Sequence, residues 1–501
     1  MKTILLLLIL TGQWLSAATN NPHILKHPFP YQASFTIISD LHRTPVKAFE
    51  AVHKLINSTE VITPESKEWK ILGFDQWATD APAPKEIRGF GFPFSDTFWF
   101  YDAQFAFFKT YDVSHNRLIP HNPPLTDKFL QWYRKGYIAS LHDYGVGPIT
   151  RPMAIAATDW MLKNLPHRVT VNLNHSKSAT PSGVANPCCT LLNQVLVHVR
   201  YDLFRLLGLG HRLAEPKSLP GNLLAWGYGM FFFALLLLGL TALSLLLKRN
   251  DKIRWTFVFL LAALFLLGAL QKKKVDFYFG DNPDSQMYNL DQLRRLGVRF
   301  FWTVNSDYWQ ATTHAINLPE TRLPDGRTTI FRVYTFDDGS KGLFFLRNTI
   351  NGKWQTLQLL QKDSLRRLCQ VKGTTVLYLH WLSKWQNYFN RKGLNYLQTL
   401  KRMADDSLIW LASGPELLQH SYAYSYLNYR ANIRGDSVLI HLNYFDDPIE
   451  GKRPIRLKAL KDISFYCGRA AGVRIYLKNN LLPQKLFKTI RRKDGIYVTI
   501  L

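Results

Sequence analysis

An aspartate and four histidines stand at or just after the ends of predicted strands, where their side chains could do chemistry. Asp40 ends one apolar run and His42 follows it, and three later runs end at His142, His175 and His380. Carboxylate and imidazole groups are the usual protein ligands of zinc, and they also act as general acids and bases. A metal ion with an open position would polarise a carbonyl group and acidify bound water. The set therefore predicts a hydrolytic metal site, although each residue alone could equally be a hydrogen-bonded structural residue.

Alternating strands and helices are expected to position these residues. The run 34–40 is typical of a buried strand, and Pro45 begins a helix whose apolar residues recur at helical spacing. Repeated units of this kind favour a parallel sheet, open or closed into a barrel, and the reactive residues of such barrels lie at the carboxyl ends of strands. From about Ser437 the pattern changes to short alternating strands, which indicate a small β-rich region.

Three short motifs resemble the polysaccharide deacetylase superfamily of NodB-type carbohydrate esterases. The strand 35–40 resembles the element that ends in the family's catalytic acid. Gly136 stands six residues before His142, as in the family's second motif, and 378–380 (Tyr-Leu-His) resembles the last one. The resemblance implies a distorted (β/α) barrel that removes acetyl groups from a polysaccharide with the help of a metal ion.

The resemblance also implies a role for each candidate residue. Asp40 would be the catalytic base or a metal ligand, and His380 would be the general acid. His142 would bind the metal ion, with His42 and His175 completing the site. Zinc is the divalent metal that this set of ligands favours.

The sequence departs from the family pattern at two positions. The second metal histidine of the family would fall at Val146, and the second acid of the first motif is replaced by Leu41. A complete copy of the first motif instead occurs at 335–339, where Asp337 and Asp338 would be the acids. An Asp-Gly pair between two apolar runs is typical of a hairpin turn, so we predict a turn at this copy.

Two further stretches predict export and membrane association. The first 17 residues combine Lys2, a short apolar run and small residues near Ala17, as a signal peptide does. Residues 221–271 contain two long apolar runs joined by a basic loop, which predicts a transmembrane helical hairpin with its loop on the cytoplasmic side. Both flanking parts of the chain would then lie outside the cytoplasm, anchored to the membrane lipid by the hairpin.

The composition favours acidic partners. The 501 residues include 62 Lys and Arg against 36 Asp and Glu, a formal net charge of +26. Such a charge favours anionic lipid headgroups or acidic envelope polymers, whereas no basic run carries a nucleic-acid-binding motif. Four cysteines are too few for a disulfide scaffold, and a hydrophobic content of 47% argues against global disorder.

The predicted fold is α/β: a distorted (β/α) barrel of the deacetylase type, interrupted by a transmembrane hairpin, with a small C-terminal β-rich region. The predicted boundaries are 1–17 for the signal peptide, 18–220 and 272–430 for the two halves of the barrel, 221–271 for the hairpin and 431–501 for the β-rich region. The predicted function is that of a metal-dependent deacetylase acting on an extracytoplasmic or cell-envelope glycan.

Two alternative functions remain open. A glycoside hydrolase would need two carboxylates on either side of a sugar, and the sequence offers Asp40 with Asp281 or Asp284. A non-catalytic polysaccharide-binding or assembly factor would keep the fold and the basic surface without the reaction.

Overall fold

The structure is a computed structural model. It describes residues 21–40, 44–76, 84–102, 106–145, 149–173, 280, 283, 287–302, 316–336, 338–346, 348, 356–383, 386–387 and 389–501. Several predictions concern residues outside these ranges: the signal peptide, the hairpin at 221–271, and the positions Leu41, His42, Val146, His175, Asp281, Asp284 and Asp337.

Helices of five to fifteen residues occur along the described chain. The α-helices are α1 Val46–Asn57, α2 Lys67–Ile71, α3 Thr126–Arg134, α4 Arg151–Asn164, α5 Leu290–Leu296, α6 Lys362–Gln370, α7 Arg391–Asp405 and α8 Gly414–Tyr426. Short 3₁₀ helices occur at Phe74–Gln76, Thr356–Leu360, Leu457–Leu460 and Gln484–Leu486.

The strands of the first three quarters of the chain are mostly short. They are β1 His23–Ile24, β2 Ala33–Ser39, β3 Val61–Ile62, β4 Ile87–Arg88, β5 Ser95–Tyr101, β6 Thr110–Asp112, β7 Arg117–Ile119, β8 Ile138–Gly145, β9 Val171–Asn172, β10 Phe300–Trp302, β11 Thr321–Arg322, β12 Thr328–Thr329, β13 Arg332–Thr335, β14 Lys341–Phe345 and β15 Thr374–Leu379. Those that follow are β16 Leu382–Ser383, β17 Gln386–Asn387, β18 Ile409–Leu411, β19 Leu427–Arg434, β20 Ser437–Asp447, β21 Gly451–Arg453, β22 Ser464–Tyr466, β23 Gly472–Leu477, β24 Asn480–Leu481, β25 Phe487–Arg492 and β26 Gly495–Ile500.

The described residues belong to two compact units. The first unit lies within Met1–Asp96, Ala311–Val333 and Leu343–Leu501, and the second within Thr97–Gln310 and Tyr334–Gly342. Strand β5 therefore begins in the first unit, with Ser95 and Asp96, and its other residues belong to the second.

Strand β2 is the centre of the first unit, and all seven of its residues are buried. Six of these residues pair in parallel with β15, from Ser34 opposite Thr374 to Ser39 opposite Leu379. The other edge of β2 is shared: β18 pairs in parallel with its first residues and the start of β5 with its last two. Helices α1, α6 and α7 contribute apolar side chains to the same hydrophobic core as β2. The carboxyl ends of β2 and β15 consequently lie side by side.

Helix α1 shows why the sequence folds locally as predicted. Pro45 takes an extended conformation with φ −62° immediately before the helix, which suits the fixed φ of proline. The apolar residues at helical spacing are all buried: Phe49, Val52, Leu55 and Ile56. The predicted helix after Pro45 is therefore confirmed, and its buried face packs in the core of the first unit.

The last quarter of the chain forms most of two sheets within the first unit. The five-stranded sheet is mixed, and the four-stranded sheet is antiparallel. A five-stranded sheet has the order β19-β20-β23-β24, with β21 also paired to β20. A four-stranded sheet has the order β1-β22-β26-β25, and its edge strand β1 comes from the other end of the chain. Alternating burial along β20, with Val438, Ile440 and Leu442 buried, gives the five-stranded sheet one packed face.

The second unit has an aromatic core beside short parallel strands. Strands β9 and β10 pair in parallel, as do β8 and β9. Phe107 lies 5.0 Å from Phe129, 5.1 Å from Trp160 and 5.4 Å from Phe98 between ring centroids. Tilted and edge-on rings at these distances are the favoured geometry for aromatic packing.

The predicted fold class was wrong. We expected a deacetylase-type barrel interrupted by a transmembrane hairpin, whereas the structure has a mixed α/β architecture with several separate sheets. No helix in the described ranges is long and apolar enough to cross a membrane. The error has a physical basis: apolar periodicity identifies strands and helices, but strand pairing depends on long-range contacts that a single sequence does not reveal.

Candidate functional site

The carboxyl ends of β2 and β15 bring Asp40 and His380 together. Ser39 lies opposite Leu379 in the parallel register, so the next residue of each chain segment leaves the sheet at the same edge. The backbone N–H of Asp40 donates to the carbonyl of Leu379 at 3.0 Å. The Nε2 atom of His380 then lies 3.3 Å from Oδ2 of Asp40. These two residues form a carboxylate–imidazole pair.

The two members of this pair differ in their access to solvent. The side chain of Asp40 is 1% exposed, whereas that of His380 is 28% exposed. Tyr378, two residues before His380 and on the same face of the strand, donates its hydroxyl to Oδ2 of Asp40 at 3.1 Å. Asp40 is therefore held in the interior by a hydrogen bond, and His380 is the member of the pair that solvent reaches.

A second carboxylate–imidazole pair lies beside the first. Nε2 of His53, on α1, is 3.4 Å from Oδ2 of Asp96, on β5, and both side chains are at most 4% exposed. Asp96 lies opposite Ser39 in the pairing of β2 with β5, which places it next to the end of the strand that leads to Asp40. Asn57 Oδ1 lies 2.5 Å from Nδ1 of His53.

Asn57 fixes the protonation pattern of the second pair. Its Nδ2 group donates to the carbonyls of Phe92 at 2.9 Å and Phe94 at 2.7 Å, so its Oδ1 atom must be an acceptor. Nδ1 of His53 therefore carries a hydrogen. Nε2 of His53 faces the carboxyl group of Asp96, and neither side chain is open to solvent.

The electrostatics of Asp96 agree with this arrangement. Burial raises the pKa of Asp96 above its usual range because a charged carboxylate is poorly solvated there. The neighbouring His53 opposes this rise, the negative charge of Asp40 adds to it, and His380 opposes it again. All four residues therefore belong to one electrostatic cluster, which we call the acid–base cluster: Asp40, His53, Asp96 and His380.

His142 belongs to the second unit. Strand β8 continues through it to Gly145, so His142 stands inside a strand and not at its end as predicted. Its ring is fully buried and stacks on Trp99 with centroids 4.0 Å apart and planes 22° apart. His142 and Asp143 are both buried within the strand, whereas the sequence predicted that the strand would end at His142.

The donors for the predicted metal ion are not found together in the described part of the chain. No group of three or more His, Cys, Asp or Glu side chains there has an arrangement that could hold a metal ion. His42 and His175 lie outside the described residues. The assignment of His42, His142 and His175 to a zinc site therefore stays a prediction.

The second copy of the acidic motif forms a turn, as predicted. Strands β13 and β14 are neighbours in the sheet, and Gly339 between them has a φ of 80°, which favours glycine. Asp338 accepts hydrogen bonds from the N–H of Ser340 at 2.9 Å and from the hydroxyl of Tyr288 at 3.0 Å. Burial alone would raise the pKa of Asp338, but these bonds and the nearby Arg294 lower it. This carboxylate stabilises a hairpin.

Sequence reasoning missed His53 and Asp96, although both left a signal. His53 is spaced four residues after Phe49 and three before Ile56, on the apolar face of α1. Asp96 lies between Ser95 and Thr97, in a run at 94–101 whose other five residues are aromatic. A polar residue on a face that must be buried requires a partner, and each of these two is the partner of the other.

None of the protein-family models, curated proteins or solved structures compared with this chain matches it. The resemblance to the polysaccharide deacetylases therefore stays a prediction carried by its three motifs.

Proposed function

We propose that this protein is a hydrolase that removes acyl groups from an extracytoplasmic glycan, with His380 and Asp40 as its acid–base pair. One observation carries the proposal: a solvent-reaching imidazole lies 3.3 Å from a carboxylate that is 1% exposed. A buried carboxylate orients an imidazole and stabilises its protonated form, which is what general acid–base catalysis requires.

The reaction follows from the position of His380. Its imidazole removes a proton from a water molecule while the water oxygen attacks the acyl carbon. Asp40 stabilises the imidazolium that results. When the tetrahedral intermediate collapses, the bond to the sugar nitrogen or oxygen breaks and His380 returns its proton to that atom. The carboxylic acid and the deacylated sugar are the products, and every proton is accounted for. His42 and His175, two of the predicted metal ligands, lie outside the described residues, so no step is assigned to a metal ion.

The substrate class rests on sequence features. The motifs around Asp40, His142 and His380 resemble those of polysaccharide deacetylases, and the first 17 residues predict export. A net charge of +26 also favours a polymer that carries negative groups. These features support an envelope or extracellular glycan as the substrate.

The acid–base cluster favours acyl hydrolysis over glycoside hydrolysis. Glycoside hydrolysis needs two carboxyl groups on either side of the scissile bond, both within reach of the sugar. Asp40 and Asp96 are the two carboxylates of this cluster, and their exposures are only 1% and 3%. A buried pair of this kind can tune an imidazole but cannot flank a sugar ring.

The test is acetate release by the purified full-length protein from acetylated polysaccharides and from 4-nitrophenyl acetate. We expect His380→Gln to lower the rate by about 10²-fold or more, because the proton-transfer group is lost. The matched control is His115→Gln. His115 lies 2.9 Å from Asp112 but is 71% exposed, so it is an imidazole–carboxylate pair on the surface.

Two results would contradict the proposal. One is an unchanged rate in His380→Gln, and the other is an equal loss in His115→Gln. Metal analysis of the same preparations tests the zinc prediction separately, since its outcome does not depend on turnover.

A further inference from the structure

One face of the five-stranded sheet is open to solvent and rich in arginine. On the opposite face the side chains of Val438, Ile440, Leu442 and Ile475 are buried. Because side chains alternate along a strand, the residues between them point to the other side of the sheet. On that side Arg430, Arg434 and Arg474 are all exposed.

The strand register arranges this face as rows that cross three strands. Residues directly opposite one another in a sheet share a face, so each row is a set of side-chain neighbours. The rows are Arg430–His441–Tyr476, Asn432–Leu439–Arg474 and Arg434–Ser437–Gly472. We call this surface the arginine face. Two of its cations, Arg430 and Arg434, lie at the corners on β19, and Arg474 lies midway along the opposite edge, on β23.

The spacing of the three arginines suits a polymer. Arg430 and Arg434 are four residues apart on one strand, or about 13 Å, and Arg474 lies two strands away, or about 10 Å. A single small anion cannot reach all three, whereas a chain carrying repeated negative groups can contact them in turn.

No described carboxylate neutralises the charge of the arginine face. Among the described residues, no carboxylate forms an ion pair with Arg430, Arg434 or Arg474. Asp436, in the turn between β19 and β20, is an exposed acid close to them in sequence. Residues 427–501 as a whole contain 15 Lys and Arg against 6 Asp and Glu, so the surrounding field is also positive.

We propose that the arginine face binds an anionic polysaccharide. Guanidinium groups form paired hydrogen bonds with carboxylate or sulfate groups. The amide of Asn432 and the hydroxyls of Ser437 and Tyr476 are suited to sugar hydroxyl groups. This proposal goes beyond the hydrolase proposal and does not depend on it, because binding can be measured without turnover.

Two other polyanions fit this face less well. A nucleic acid without base pairing binds through bases stacked on aromatic rings. Tyr476 already stacks on His441, with centroids 4.7 Å apart and planes 7° apart. A membrane surface would favour several exposed apolar side chains for insertion. In the rows of the arginine face the large apolar residue is Leu439, which is only partly exposed.

The test measures binding of the purified full-length protein to alginate, a polymer of uronic acids, with neutral dextran as the reference. The variant is Arg430→Gln/Arg434→Gln/Arg474→Gln. The matched control removes the same charge from exposed cations on other elements: Arg322→Gln/Lys362→Gln/Lys392→Gln. We expect the first variant to bind alginate about tenfold more weakly and with a smaller dependence on salt. The control should stay within about twofold of the parent protein.

Three outcomes would overturn the proposal: equal weakening in both triple variants, unchanged binding in the first, or stronger binding of the parent protein to single-stranded DNA or phosphatidylglycerol vesicles than to alginate. Thermal unfolding of both variants checks that the sheet is intact. Hydrolysis of 4-nitrophenyl acetate should be the same in both triple variants. A failure of the polysaccharide-binding proposal can therefore be told apart from a failure of the hydrolase proposal.

Discussion

The two carboxylate–imidazole pairs of the acid–base cluster are almost equal in geometry and very different in what they can do. The distances between nitrogen and oxygen are 3.3 Å in His380–Asp40 and 3.4 Å in His53–Asp96. The imidazole of His380 is 28% exposed, however, whereas that of His53 is 1% exposed. The same two functional groups therefore form one pair whose imidazole reaches solvent and one pair that is closed to it.

The two pairs also differ in which of their members is held in place by hydrogen bonds. In the buried pair the imidazole itself is fixed, because Asn57 binds its far nitrogen and is held by two backbone carbonyls. In the other pair the carboxylate is fixed, because Tyr378 donates to Asp40. Fixing the carboxylate leaves the imidazole accessible, which is the arrangement that a proton-transfer site needs. Three experiments would break or sharpen this comparison.

The largest effect is expected for Asp40→Asn. An amide cannot stabilise the protonated form of His380, so we expect acetate release to fall by about 10²-fold with little change in fold. The measurement is the rate on 4-nitrophenyl acetate across pH 5–9 in the variant and the parent. A variant that retains the parent's rate throughout this range would remove Asp40 from the mechanism.

The next effect is on stability and concerns the buried pair. His53→Leu leaves Asp96 buried without its partner, which costs roughly 3–5 kcal/mol. We expect a marked fall in the thermal unfolding midpoint. The double variant His53→Leu/Asp96→Leu removes both groups and should recover part of the loss, because coupled partners are not additive. The single variant Asp96→Leu completes the comparison. If the double variant loses as much stability as His53→Leu and Asp96→Leu added together, the residues do not act as a pair.

The smallest effect is a pH dependence of stability from Asp96. Burial raises its pKa in the folded protein, so the folded state binds more protons than the unfolded state just above the ordinary aspartate range. The contribution of Asp96 to the free energy of unfolding is present at low pH and is lost as the pH rises through the pKa of Asp96 in the folded protein. Asp96→Asn does not titrate, so the unfolding midpoint of the parent should fall relative to that of the variant as the pH rises above about 4. A constant difference would contradict the shift.

The sequence contained enough information to predict that Asp40 and His380 belong to one site. Asp40 and His380 each follow a recognisable apolar strand, and parallel strands end at the same edge of a sheet. This reasoning predicts that the two residues lie in one site, and the structure brings their side chains within 3.3 Å of each other. Pro45 and the spacing of the apolar residues after it likewise defined α1, because both are local signals.

The rest of the site depends on contacts that local patterns do not encode. Asp96 reaches His53 only because β5 starts where β2 ends, and strand pairing of this kind is decided by the packing of the whole unit. His142 was placed at a strand end because it is polar, but the buried strand runs past it. The predicted architecture was wrong for the same reason. Strands and helices could be recognised from the sequence, whereas the pairing of the strands could not.

The pairing of β1 with β22 has a consequence for how the chain must fold. His23 and Ile24 lie opposite Tyr466 and Phe465, so one sheet is assembled from the two extremes of the sequence. During synthesis β1 stays unpaired until Phe465 and Tyr466 have been made. Contacts so distant along the chain form slowly. A ribosome stalled late in translation would therefore hold a protein whose leading strand is still exposed to proteases and to other nascent chains.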